Sequence, residues 1–233
     1  MKSFTKIGLA AFAVMLFFSA FAALETKAQV GAQLNEALKR MEKHRKALTS
    51  LKTSVKMVKY NPQLDESETQ SGTATYLPVK ERDALIRIDW TKPNEETLTV
   101  VNKEYVIYRK RLKQAIFGKA SEAKGSGKAN NLFAFMNMSK DELKANYTIK
   151  LLGEEKVSGT IPTWHLQLTP KNASAFTTAS LWVDGNGMPI QIKATEKNKD
   201  TTTILLSGMQ KNVKIKNSIF ELILPKDTKI IKG

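Results

Sequence analysis

From Val55 to its C-terminus the chain is patterned in period two. The runs SVKMVKY, GTATYLPV, ALIRIDW, ETLTVV and EYVIYR come first, then YTIKLLG, TWHLQLTP, ASLWVD, PIQIKATE and TTTILLS, and the chain closes with NSIFELILPKDTKII. Each run is short and rich in β-branched or aromatic residues, the composition that suits a pleated, half-buried surface. Turn-forming residues separate them, among them Lys92-Pro93-Asn94, Asn102-Lys103 and the hairpin signal Asp184-Gly185-Asn186-Gly187. The polar stretch LDESETQSG before GTATYLPV reads as a loop. The pattern predicts about ten or eleven antiparallel strands. A sheet of that size curls or splits, because each strand twists against its neighbour.

Two segments depart from period two. Residues 31–52 place Leu34, Leu38, Met41, Leu48 and Leu51 on one face at helical spacing. His44 stands among lysines and arginines there and reads as solvated. In the middle of the chain, GKASEAKGSGKAN reads as a flexible loop. After it, Leu132, Phe133, Phe135, Met136 and Met138 crowd one short stretch. Ser139 and Glu142 then form a capping-box signal for a short helix. Helices with one apolar face must bury it, so the predicted fold is mainly β with helices: an incomplete antiparallel barrel wrapped around or lidded by them.

The first 28 residues carry Lys2 and Lys6, then an apolar run from Ile7 to Leu24, then Thr26-Lys27-Ala28. This is the layout of a cleavable signal peptide, with Ala20-Phe21-Ala22 as an alternative site. The predicted division is a leader over 1–28 and one domain over 29–233. No cysteine follows the leader, so lipidation there is chemically impossible, and disulfides, thiol catalysis and cysteine-type metal sites are excluded. Two histidines, His44 and His165, exclude a metal site built on several imidazoles. The expectation is an exported, soluble protein without cofactor or metal.

The formal net charge is +15, and loss of the leader leaves +13. The lysines are scattered along the sequence, with one dense run at Arg109-Lys110-Arg111-Leu112-Lys113. Export argues against nucleic acid as a partner. Dispersed lysines serve solubility or attraction to an anionic membrane surface. The stretch GSGKA does not complete a phosphate-binding loop, since Ala129 follows Lys128. There is no nucleophile elbow and no zinc-protease signature, and His165 beside Trp164 reads as structural or surface. The chain is not expected to be an enzyme.

The order of these parts resembles the bacterial outer-membrane lipoprotein carrier family, LolA. The resemblance covers nearly all of residues 29–233. It runs through LTSLKTSVKMV, QSGTATYLPV, IDWTKPNEETLTVVNKEYVIY, QLTPK, SLWVDGNGMPIQIKATEKN and IFELILPKDTKII, the last matching a final strand before a proline. Val101-Asn102 replaces the family's Asp-Gly, and Val106 stands where the family has tryptophan. The resemblance implies a half-barrel with a helical lid over an apolar cavity that shields lipoprotein acyl chains on the way from inner to outer membrane. A 16-carbon chain left in water forfeits about 12 kcal/mol, so shielding is a physical necessity. It also implies a monomer with two membrane partners, an inner-membrane lipoprotein-releasing ABC transporter and an outer-membrane acceptor.

Candidate lining residues are Trp90, Tyr105, Ile107, Trp164, Leu166, Trp182 and Ile190 on the strands. Leu132, Phe133, Phe135, Met136 and Met138 are candidates on the lid, where methionine suits an irregular apolar surface. The resemblance also implies an arginine near the end of the second long strand that holds the lid shut in the ligand-free form, and Lys80 and Arg82 both lie in that neighbourhood as candidates. Two other readings stand beside the carrier: a lipid-binding envelope sensor of the same shape that transports nothing, and a hydrolase with an unrecognised site.

Overall fold

The computed structural model describes residues 29–79, 83–122 and 128–233; within 128–132, only Ala129 has a described side chain. The leader and both lid-latch candidates, Lys80 and Arg82, lie outside the described residues. Helix α1 covers residues 29–47. Twelve strands follow: β1 (Leu51–Asn61), β2 (Glu66–Leu77), β3 (Leu85–Lys92), β4 (Glu96–Val101), β5 (Glu104–Arg109), β6 (Gln114–Lys119), β7 (Tyr147–Val157), β8 (Ile161–Pro170), β9 (Thr178–Asp184), β10 (Pro189–Thr195), β11 (Thr201–Lys211) and β12 (Lys229–Lys232). Between β6 and β7 lie helices α2 (Lys128–Asn137) and α3 (Lys140–Asn146).

All twelve strands belong to one open sheet in the order β12-β6-β5-β4-β3-β2-β1-β11-β10-β9-β8-β7. Two local meanders, β1–β6 and β7–β11, meet at the central pair β1–β11, which joins residues near position 55 to residues near 206. The burial pattern alternates along β1 and β3. Leu51, Val55 and Met57 of β1, Ile86, Ile88 and Trp90 of β3, and Leu181 and Val183 of β9 all face one side. That side is the concave apolar face, and the helices lie on it. Ala37, Leu38 and Met41 of α1 and Phe133, Phe135 and Met136 of α2 join the same core.

Several sequence expectations are corrected. The first helix stops at residue 47, and Leu51 opens β1 as a buried strand residue, so its place on the helical stripe was coincidental. Most of LDESETQSG is strand, because residues 66–71 pair with the second half of β1. Their side chains are polar on both faces, so backbone pairing alone carries them. Lys128 begins α2 and is not loop. The segment QAIFGK forms β6, which period-two reading passed over. IFELIL is no strand: Asn217–Phe220 is a 3-10 turn, and the final strand comes after Pro225, pairing parallel with β6. The residues between β11 and β12 run as a strap across the outer face of the sheet. Phe220 is buried there, and Arg87 donates to the Ile219 carbonyl at 2.8 Å.

The Asp184–Gly187 turn forms as expected and docks α1. Gly187 has φ +88, and a Cβ at that position would lie 2.2 Å from the Arg40 carbonyl oxygen. Arg40 donates to the Gly185 carbonyl at 2.8 Å and stacks 5.0 Å from the Trp164 ring centroid. Gly187→Ala is expected to cost about 2 kcal/mol or more in urea unfolding, from left-handed backbone strain and lost helix docking. Gly185→Ala, whose Cβ meets nothing within 4 Å, should stay within about 0.5 kcal/mol of wild type.

Candidate functional site

The concave face forms an apolar trough, and α2 fills it. Ser139 caps α3 with the full capping box: its hydroxyl accepts from the Glu142 amide, and the Glu142 carboxylate accepts from the Ser139 amide. This fixes the bend between α2 and α3 and turns α2 inward, against β10 and β11. Phe133 stacks on Tyr76 of β2 at 6.4 Å between ring centroids, and both rings are buried. Burial pushes the Tyr76 phenol well above its ordinary range. Phe135 meets Tyr147 at 5.6 Å and Phe176 at 6.0 Å. Beside α2 a cleft of about 350 Å³ opens, lined among others by Tyr76, Ile86, Val100, Phe133 and Met138. That is near the lower bound for small-ligand pockets.

The strand residues singled out from sequence fall on two faces. Trp90, Tyr105, Ile107, Leu166 and Ile190 are buried on the concave side, and Trp164 lies on it half-buried under Arg40. On the lid, Phe133, Phe135 and Met136 are buried and Met138 is half-buried; the Leu132 side chain lies outside the described residues. Trp182 is not part of this wall. It alternates with the concave Leu181 and Val183 and pairs with His165 on the outer face. There it is buried by its own neighbours: the His165 ring stacks at 4.2 Å, and Glu155 accepts from the Trp182 indole at 2.8 Å. Glu155 also pairs with His165 Nδ1 at 3.0 Å, and burial lowers the imidazole's proton affinity. His165 is thus a packing residue of the outer face. His44 is half-buried, not solvated, and burial next to Lys211 lowers its proton affinity.

Sequence reasoning did not single out Tyr76, Phe176 or Glu42. Tyr76 was discoverable from the alternation of GTATYLPV. Glu42 carried no such signal, because its role is tertiary. Arg45 donates to it twice, at 2.8 and 3.1 Å, and the backbone amide of Lys140, at the start of α3, donates to it at 3.1 Å. It thus ties α1 to the helical insert. The Arg45 hydrogen bond, partly opposed by desolvation, holds the Glu42 carboxyl down to about 2.

A carboxyl lowered on folding stabilises fully above its unfolded value, near 4.5, and the contribution is lost as pH falls through about 2. Glu42→Gln is therefore expected to cost on the order of 2 kcal/mol at pH 7, with the difference from wild type vanishing near pH 2. Denaturant titration at the two pH values, with hydrogen exchange at the Lys140 amide, measures this.

The solved structures similar to this fold include a conserved protein from Thermus thermophilus. The match has 14% identity and a TM-score of 0.54, covering 86% of this chain and 99% of that one. A LolA superfamily protein from Nitrosomonas europaea matches at 14% identity and a TM-score of 0.41, over 81% of this chain and 97% of the other. LprF from Mycobacterium bovis matches at 17% identity and a TM-score of 0.43, over 78% and 97%. No curated protein matches the sequence. The family profile described as outer membrane lipoprotein carrier protein LolA matches residues 58–223, from within β1 to the strap. With that span covering most of the chain, the protein belongs to the LolA family.

Proposed function

We propose that the chain is a periplasmic carrier that takes lipoprotein acyl chains into the concave trough and moves them from the inner to the outer membrane. One observation carries this reading: α2 lays Phe133, Phe135 and Met136 into an apolar trough that the sheet alone would leave wet. A helix placed so is a replaceable occupant, and an acyl chain can take its place with similar apolar burial. The exchange is then close to balanced, which a carrier needs in order to release its cargo. Membership of the LolA family supports the lipid-binding character of the trough. No helix among the described residues is long and apolar enough to cross a membrane. In this reading residues 1–28 are a removed signal peptide, and the donor and acceptor are a lipoprotein-releasing ABC transporter and an outer-membrane receptor. Either Lys80 or Arg82 holds the lid.

The chain from Gln29 should bind a hydrophobic fluorophore reversibly and release it to an acylated peptide. Phe133→Ala weakens the internal occupant, since truncating a buried phenylalanine costs about 3–5 kcal/mol. It should lower the melting temperature and raise apparent fluorophore affinity several-fold, as expected when a competing closed state is depopulated. Absence of fluorophore binding in wild type and variant alike would sink the reading. Recovery of a membrane regulator, with no lipoproteins, in pull-downs would favour a sensor over a carrier.

A further inference from the structure

The concave face is not apolar along its whole length. At the end of the strands away from Phe133, a polar row crosses β2 to β5: Gln70, Gly72, Trp90, Glu96 and Arg109. Gly72 pairs with Trp90, Trp90 with Glu96, and Glu96 with Arg109, and Gln70 sits two residues before Gly72 on the same face, opposite the buried Met57. Ile86, beside the cleft at α2, and Trp90 are four residues apart on β3, about 13 Å along the strand.

This row is no ordinary solvated rim. Trp90 is only 2% exposed, and its indole N–H has no hydrogen-bond partner among the described residues. The Gln70 side-chain carbonyl is also buried without a partner among them, its amide nitrogen being engaged by Glu68 at 3.0 Å. The Glu96 side chain, 14% exposed, accepts from Arg109 at 3.1 Å. A buried donor or acceptor left unmatched costs about 1–3 kcal/mol. Here one of each is left in the same row, next to the one position, Gly72, without a side chain. There the backbones press together so closely that a Cβ would lie 2.1 Å from the Asp89 carbonyl oxygen.

We propose that this row is the head-group end of the trough, and that it selects an amphiphile whose acyl chain is joined to its head through an amide. The proposal rests on the acyl-chain reading above and specifies its ligand. A secondary amide carries one acceptor and one donor side by side. Its carbonyl takes the Trp90 N–H, and its N–H is accepted by the Gln70 carbonyl. The hydrocarbon then runs along Ile88 and Ile86 toward Tyr76, into the space that Phe133 occupies. The Glu96–Arg109 pair faces the polar continuation of the head. An ester supplies only the acceptor and leaves Gln70 unmatched.

The test is displacement of 1-anilinonaphthalene-8-sulfonate from the chain starting at Gln29 by N-palmitoylglycinamide and by methyl palmitate. Wild type should prefer the amide about fivefold, the worth of one neutral hydrogen bond. Gln70→Leu should abolish that preference while leaving ester binding unchanged. Trp90→Phe, which removes the indole N–H and leaves a smaller aromatic ring, should weaken both ligands about fivefold. Its melting temperature should fall, because the smaller ring leaves a cavity at the buried Trp90 site. A purely packing role for Trp90 would show the lower stability alone, with both affinities unchanged. Equal displacement by amide and ester in wild type, or a preference that survives in Gln70→Leu, overturns the proposal and leaves the acyl-chain reading standing. Failure of both lipids to displace the dye from wild type overturns that reading itself.

Discussion

A sheet of twelve strands with one apolar face cannot leave that face in water. Everything else in this molecule answers that constraint. The concave side carries Leu51, Val55, Met57, Ile86, Ile88 and Leu98, all nearly inaccessible. Two sandwiched sheets would solve the problem, but the strand order is continuous and supplies no second sheet. The covering falls instead to helices inserted at two places in the chain. α1 is anchored by Arg40 and by the close approach of Gly187, and α2 by Phe133 stacked on Tyr76 and Phe135 tilted against Tyr147. Because α2 belongs to an insert between β6 and β7, no strand pair depends on its place in the trough. The lipid-binding reading grows from that separation between what is framework and what is cover.

The local rules made most of this legible. Where one face is buried and the other wet, period two names both the strand and its face, as in β1, β3 and β10. The Asp184–Gly187 and Val101–Lys103 turns needed positive φ, and Gly187, Asn102 and Lys103 supply it. The capping box was readable because its partners are three residues apart. What escaped was set at longer range. Polar residues 66–71 are strand only because β1 continues beside them. β12 exists because β6 offers an open edge, and nothing in KIIK says that it pairs parallel.

The candidate site was half legible for the same reason. Residue type found the aromatic and methionine set, but composition does not know parity. Trp182 belongs to a strand on which Leu181, Trp182 and Val183 are all buried, so both faces are covered and size alone cannot assign a side. Its fate depends on Glu155 and His165, two strands' worth of sequence away. Glu42 and Gln70 look like surface residues in sequence and acquire meaning only from what the fold places next to them.

The central seam carries a kinetic consequence. β1 and β11 are the middle of the sheet, yet they come from opposite ends of the domain, with register running from Leu51 with Lys211 to Tyr60 with Thr201. Each meander can form from neighbours in sequence, but the floor of the trough cannot close until nearly the whole chain is present. Contact order of this kind slows folding and favours late assembly. Until that pairing forms, each meander has the inner edge of its apolar face uncovered. The seam is therefore where the two meanders become one cooperative unit, and its loss would open the trough along its middle.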